Sequence, residues 1–134
     1  MREEIEQRLI ERWPTWFYTR GDVRYTAMSR GFCNDDGWFE ILWRLFGDLE
    51  PLVAELEATG GVPFEVLQVK EKFGGLRVHV NHTSDAIRRR IETAADESFR
   101  SCEICGQPVE LRDGSWIKTL CDQHACVEGT ADIG

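Results

Sequence analysis

The chain has 134 residues, of which 42% are hydrophobic, and it carries a formal net charge of −8 at pH 7. This composition is sufficient for a buried core and excludes global disorder, and the negative charge disfavours non-specific binding to phosphate backbones. No apolar run is long enough to cross a bilayer, and the N-terminus lacks the apolar segment of a signal peptide. The sequence therefore predicts a soluble, cytoplasmic protein without membrane partners.

The N-terminal segment predicts an amphipathic helix from Met1 to about Trp13. Pro14 ends it, because the residue before a proline is disfavoured in the helical region. Three aromatic residues follow at 16–18. They are interpreted as a lid over the core, and an exposed aromatic binding platform is the alternative.

Two further helices are predicted from apolar residues at spacings of three and four. The first follows the N-cap candidates Asn34-Asp35-Asp36, and Gly60-Gly61 closes it. Pro51 either kinks it or begins a second helix. The second is capped by Thr83 and Ser84, has an apolar stripe that extends to Phe99, and runs directly into Cys102.

Residues 62–82 predict a β-hairpin with Gly74-Gly75 as its two-residue turn. This register pairs Phe73 with Leu76. One face then collects the apolar side chains of Leu67, Val69, Phe73, Leu76, Val78 and Val80. Glu71 is the single charge on that face, and it is expected near the sheet end in a salt bridge with an arginine. A buried functional acid is the alternative.

The opposite face of this hairpin is a basic patch on an acidic chain. It is either a solvated sheet face or a possible binding face for a phosphate, a carboxylate or an acidic partner. The residues that form it are Lys70, Lys72, Arg77 and His79.

The strongest motif is a pair of metal-ligand spacings, Cys-x-x-Cys-Gly and Cys-x-x-His. Thiolates and an imidazole in two close pairs suit tetrahedral, structural Zn²⁺ without an open position for water. The predicted ligands are Cys102, Cys105, Cys121 and His124, and Cys126 is the alternative to His124. The intervening residues alternate in polarity around Asp113-Gly114 and predict a hairpin, as in treble-clef and zinc-ribbon modules. The fifth cysteine, Cys33, is expected to be a small buried hydrophobe.

These elements predict an α+β fold in which helices pack on a small antiparallel hairpin or sheet, with a C-terminal treble-clef or zinc-ribbon-like module. The predicted units are a core domain at 1–100, a zinc-binding module at 101–126 and a tail at 127–134.

Four segments also resemble a family of small, largely uncharacterised proteins of phages, prophages and bacteria. They are GWFEILW at 37–43, VLQVKEKFGGLR at 66–77, CEICG at 102–106 and WIKTLCDQH at 116–124. The resemblance implies a phage-type origin, a bacterial host cytoplasm and zinc at the four predicted ligands. It implies no activity.

Three functions follow as hypotheses. The first is a non-enzymatic interaction module that acts as an adaptor or inhibitor of a host or phage protein. The second is nucleic-acid binding through the basic face and Arg88 to Arg90. The third and least favoured is a treble-clef nuclease, because His79 and His82 precede the first cysteine pair, whereas that chemistry requires them between or after the pairs.

Overall fold

A computed structural model describes residues 1–17 and 32–109. Within these residues the fold is α+β, with three α-helices and a two-stranded antiparallel sheet. Short 3-10 turns precede the second helix and follow the first. The elements are α1 (Glu3–Arg12), α2 (Phe39–Ala58), β1 (Val66–Lys72), β2 (Gly75–Val80) and α3 (Asp85–Ser98). No described helix combines the length and apolarity that a membrane crossing requires.

The core is built around α2, which packs on α3 and shares one apolar cluster with buried residues of α1 and the sheet. Its buried residues are Ile41, Leu42, Leu45, Phe46, Leu49 and Val53. The helix is continuous, and Pro51 lies inside it rather than beginning a second helix. The exposed side of α2 carries Arg44, Gly47 and Asp48, so the helix is buried on one broad face.

The aromatic segment after α1 is a core lid, as the first interpretation predicted. Trp16 and Phe17 are buried, and Trp16 makes edge-on contacts with Phe46 and Phe64 at centroid distances of 6.0 and 5.2 Å. Trp13 packs on Trp43, and its indole NH donates to Glu50 Oε1 at 2.7 Å. Tyr18, the third aromatic residue of this cluster, lies outside the described residues.

The hairpin is confirmed, but its predicted turn and register are wrong. The turn is Phe73-Gly74, and both residues have positive φ, 53° and 84°, which is typical of a mirror-image turn. Lys70 therefore pairs with Arg77, and Glu71 with Leu76. A bulge between Val66 and Gln68 brings Val66 rather than Leu67 into the buried face.

The segment before α2 ties the N-terminus to the rest of the fold. The N-terminal amine donates to the carbonyl groups of Phe32 and Asn34, and the Arg2 backbone NH donates to Asp36 Oδ1 at 2.8 Å. Burial alone raises the pKa of Asp36, but the hydrogen bonds from Arg2 and the positive charges of Arg2 and the N-terminal amine outweigh it, so this pKa is lowered.

The first prediction concerns this carboxylate. Asp36→Asn should reduce the free energy of unfolding by about 1 kcal/mol at neutral pH, because the charge-assisted bonds to Arg2 are lost from a partly exposed site. A lowered folded-state pKa adds stability above the unfolded value of about 3.9, and this stability is lost as the pH falls through the folded value. Urea unfolding should therefore show a difference between variant and wild type that disappears in acid.

Asp35→Asn is the matched control, since it removes the same charge at an exposed neighbour. Its unfolding should differ little from that of the wild type. Equal effects of the two substitutions at neutral pH would contradict the role of Asp36.

Candidate functional site

The first cysteine pair lies in a tight turn that begins three residues after α3. Ser101 and Pro108 form an antiparallel bridge, and the Cys102 NH donates to the Gln107 carbonyl at 2.8 Å. The Gly106 NH donates to the Cys102 carbonyl at the same distance. Residues 101–108 are called the knuckle here.

The conformation of the knuckle explains its sequence. Gly106 has a φ of +80°, a left-handed conformation that glycine adopts without a steric penalty. The chain therefore reverses directly after Cys105, and both cysteines belong to one short turn. Such a turn suits two thiolates that occupy one edge of a zinc tetrahedron. Cys102 is buried and Cys105 is exposed.

The second half of the predicted zinc site, Cys121 with His124 or Cys126, lies outside the described residues, as do the hairpin around Asp113-Gly114 and the predicted tail. Within 1–17 and 32–109, no group of three or more His, Cys, Asp or Glu side chains is close enough to hold a metal ion. The described part of the chain thus contains two of the four predicted ligands.

The knuckle is docked on the segment that begins α2, a contact that the sequence did not predict. The Gly37 NH donates to the Glu103 carbonyl at 2.7 Å, and the Trp38 indole NH donates to the Ser101 carbonyl at 2.9 Å. Glu103 is buried, and its Oε2 accepts from the Asp35 NH at 3.2 Å. Backbone and side-chain bonds together fix the knuckle to the core.

This docking requires a glycine at position 37. A Cβ atom there would lie 2.1 Å from the Cys102 carbonyl oxygen and 2.5 Å from that of Glu103. The approach is mutual, since a Cβ on Gly106 would lie 2.9 Å from the Gly37 carbonyl oxygen. The two glycines thus permit a backbone contact that no other residue allows without a shift of the main chain.

The basic face lies on the exposed side of the hairpin. Lys70 is directly opposite Arg77, and His79 is opposite Gln68. Arg77, His79 and Lys72 are exposed, and Lys70 is half-buried. Like charges directly opposite each other on a sheet are destabilising. None of these four side chains forms an ion pair with a carboxylate in the described part of the chain, where five other arginines do.

Two residues next to this face differ from their predicted positions. Phe73 was assigned to the apolar face, but as a turn residue it is 66% exposed, and the Lys72 ammonium lies 5.7 Å from its ring centroid. Cys33 is exposed rather than buried. It pairs in parallel with Lys70, because its backbone bonds to Val69 and Glu71 at the outer edge of β1.

Glu71 lies near the sheet end, as predicted, but its contact is with the turn. Its Oε2 accepts from the Gly74 NH at 2.7 Å, and the side chain is half-buried. Among the described residues Glu71 forms no salt bridge with an arginine, and its hydrogen bond holds the hairpin turn instead. This contact gives Glu71 a structural role.

The geometry defines an α+β chain with a docked cysteine knuckle and an exposed basic sheet face. The chain matches no model of a protein family, no curated protein and no solved structure. The resemblance to small phage and bacterial proteins therefore stays a prediction.

The second prediction tests the docking of the knuckle. Gly37→Ala should lower the free energy of unfolding by about 1–3 kcal/mol, because the new methyl group overlaps two carbonyl oxygens. Gly47→Ala is the matched control in α2, where no atom lies within 4 Å of the added Cβ. It should instead stabilise the chain by about 0.5–1 kcal/mol, since alanine favours the helix interior. Thermal or urea unfolding measures both, and equal signs for the two variants would contradict the docking.

Proposed function

We propose that this chain is a non-enzymatic interaction module that binds a partner protein through the basic face of its hairpin. The observation that carries this proposal is that Lys70, Lys72, Arg77 and His79 share an exposed sheet face without a carboxylate partner in the described residues. The chain has a net charge of −8, so this cluster is a local positive region on a negatively charged protein. Such a region is complementary to an acidic surface.

The exposed Phe73 supports a protein partner. Its ring lies next to the Lys72 ammonium, and aromatic residues are enriched in protein interfaces. At 66% exposure this ring has most of its surface available for burial by a partner. Adaptor or inhibitor activity toward a host or phage protein fits this arrangement.

Nucleic-acid binding is the second candidate, and it is favoured by the same exposed Phe73 in the hairpin turn. An aromatic ring beside cations can stack a base while the cations bind phosphates. The net negative charge of the chain opposes this function, because it weakens the electrostatic term that dominates such binding.

Zinc enters the proposal as a structural ion held by Cys102, Cys105, Cys121 and His124, in a treble-clef or zinc-ribbon-like module. The knuckle supports this assignment, because its glycine-assisted turn suits a pair of zinc thiolates. Zinc bound there would fasten the C-terminal module to the same turn that docks on Gly37.

The third prediction is the metal content. Purified protein should contain one zinc ion per chain, and Cys105→Ser should lose it, because three ligands bind this ion much more weakly than four. Cys33→Ser is the matched control, since this exposed cysteine is not a predicted ligand. Separate substitutions of His124 and Cys126 identify the fourth ligand. Metal analysis that finds no zinc in the wild type, or full zinc in Cys105→Ser, would refute the site.

The fourth prediction tests the basic face. Arg77→Glu should abolish capture of the partner protein from a nuclease-treated lysate, because it reverses the charge at the centre of the face. Arg89→Glu makes the same change on an exposed position of α3 and should leave capture unchanged. Capture that is indifferent to Arg77→Glu would contradict the proposal. Binding to a mixed oligonucleotide pool with a steep salt dependence would support the second candidate instead.

A further inference from the structure

The backbone of the sheet has a defined inner and outer side. Cys33 NH donates to the Val69 carbonyl at 2.9 Å, and Glu71 NH donates to the Cys33 carbonyl at 3.2 Å. The NH and C=O groups of Val69 and Glu71 are therefore turned away from β2. In an antiparallel pair, the residues opposite such positions also turn their backbone groups outward. These residues are Val78 and Leu76.

One outward group confirms this direction. The Leu76 NH donates to Ser98 Oγ at the end of α3, at 2.9 Å, so it points away from β1. The next outward position is Val78, and its NH and C=O have no backbone partner among the described residues. Val80 follows with the same orientation, because Asn81 bonds back to Glu65 across the sheet. β2 is thus bonded to α3 at its start, and from Val78 onward its outward backbone groups have no backbone partner among the described residues.

The two faces of β2 beside this outer edge differ in chemistry. Arg77 and His79 are exposed on the basic face, and Val78 and Val80 are half-buried on the face that packs on the core. An extended chain that pairs with β2 would place its own side chains alternately on these two faces. Its favourable residues would be acidic on one face and apolar on the other.

We propose that the edge of β2 at Val78 and Val80 binds an extended segment of the partner protein by β-strand addition, and that this segment alternates acidic and apolar residues. The proposal rests on the protein-binding function given above and specifies its mode. Main-chain hydrogen bonds supply the affinity, and Arg77 with His79 selects the acidic positions.

A second copy of this chain fits the edge poorly. Antiparallel pairing of two β2 strands about Val78 would place Arg77 of each copy opposite His79 of the other, and Lys70 and Lys72 lie on the same face. Cations across a strand pair repel, so these residues act against self-association and for an acidic occupant.

The experiment compares two peptides of identical composition, measured by fluorescence anisotropy with the full chain. One alternates glutamate and valine, and the other carries the same residues as a glutamate block followed by a valine block. The alternating peptide should bind at least about tenfold more tightly, because it alone matches both faces while it pairs with the edge. Equal affinities overturn strand addition, yet charge-dependent capture of a protein partner through Arg77 would still stand. Absence of binding by both peptides also overturns strand addition.

A backbone variant provides the second arm. Val78→Pro removes the outward NH and leaves the β1–β2 hydrogen bonds intact, since proline is tolerated where an edge NH faces outward. Val78→Thr keeps both the NH and the branched shape. Val78→Pro should weaken binding of the alternating peptide at least about tenfold relative to Val78→Thr, with unchanged circular dichroism. Equal binding by the two folded variants would overturn the proposal. If Val78→Pro does not fold, the wild-type chain is tested instead with an alternating peptide that is methylated on alternate backbone nitrogens. Tight binding of this methylated peptide would refute the proposal.

Discussion

The backbone contact between Gly37 and the knuckle joins the segment before α2 to the C-terminal end of the described residues. It brings the Cys102 and Glu103 carbonyl groups against a residue without a side chain, at the position where α2 begins. The segment that carries Gly37 also holds Asp36 against Arg2 and Cys33 against β1. One short segment therefore contacts the first helix, the sheet and the cysteine turn, and its position fixes theirs.

The helices followed from the sequence, and the hairpin register did not. A helical spacing of apolar residues that continues over many positions fits a single helix. The extents predicted for α2 and α3 are therefore close to the observed ones. In a hairpin, the alternation of side chains repeats every two residues. Moving the partner of Val69 from Val80 to Val78 keeps the face of each residue that stays paired from Gln68 to Lys72, so the alternation does not distinguish the two registers and the turn decides between them. Phe73 adopts a positive φ that its side chain disfavours, and the Glu71 hydrogen bond to Gly74 stabilises that turn.

The docking of the knuckle and the exposure of Cys33 depend on main-chain contacts, which leave no periodic signal in a sequence. Gly37 is one of 12 glycines, and the residues around it do not predict that the carbonyl group of a distant residue lies against it. Cys33 joins the sheet through its NH and C=O, and the residue is exposed. Burial statistics for cysteine predicted the opposite, because they describe side chains and not backbone pairing. The Cys-x-x-Cys-Gly spacing, by contrast, indicated a cysteine turn at this place in the chain, and the structure adds that Gly106 has a positive φ.

The knuckle and the start of β2, which carries part of the basic face, both lie next to the C-terminal end of α3. The ring of Phe99 occupies the space above Gly75, where a Cβ would lie 2.5 Å from Cζ, and Ser98 holds the adjacent Leu76 NH. Three residues later the chain enters the knuckle, which is bound to the core through Ser101, Glu103 and Gly37. The C-terminal end of α3 is therefore held on one side by the knuckle and itself closes the start of β2. Beyond Leu76, the outward backbone groups of Val78 have no backbone partner among the described residues, and this edge, beside Arg77 and His79, is the one we propose for strand addition.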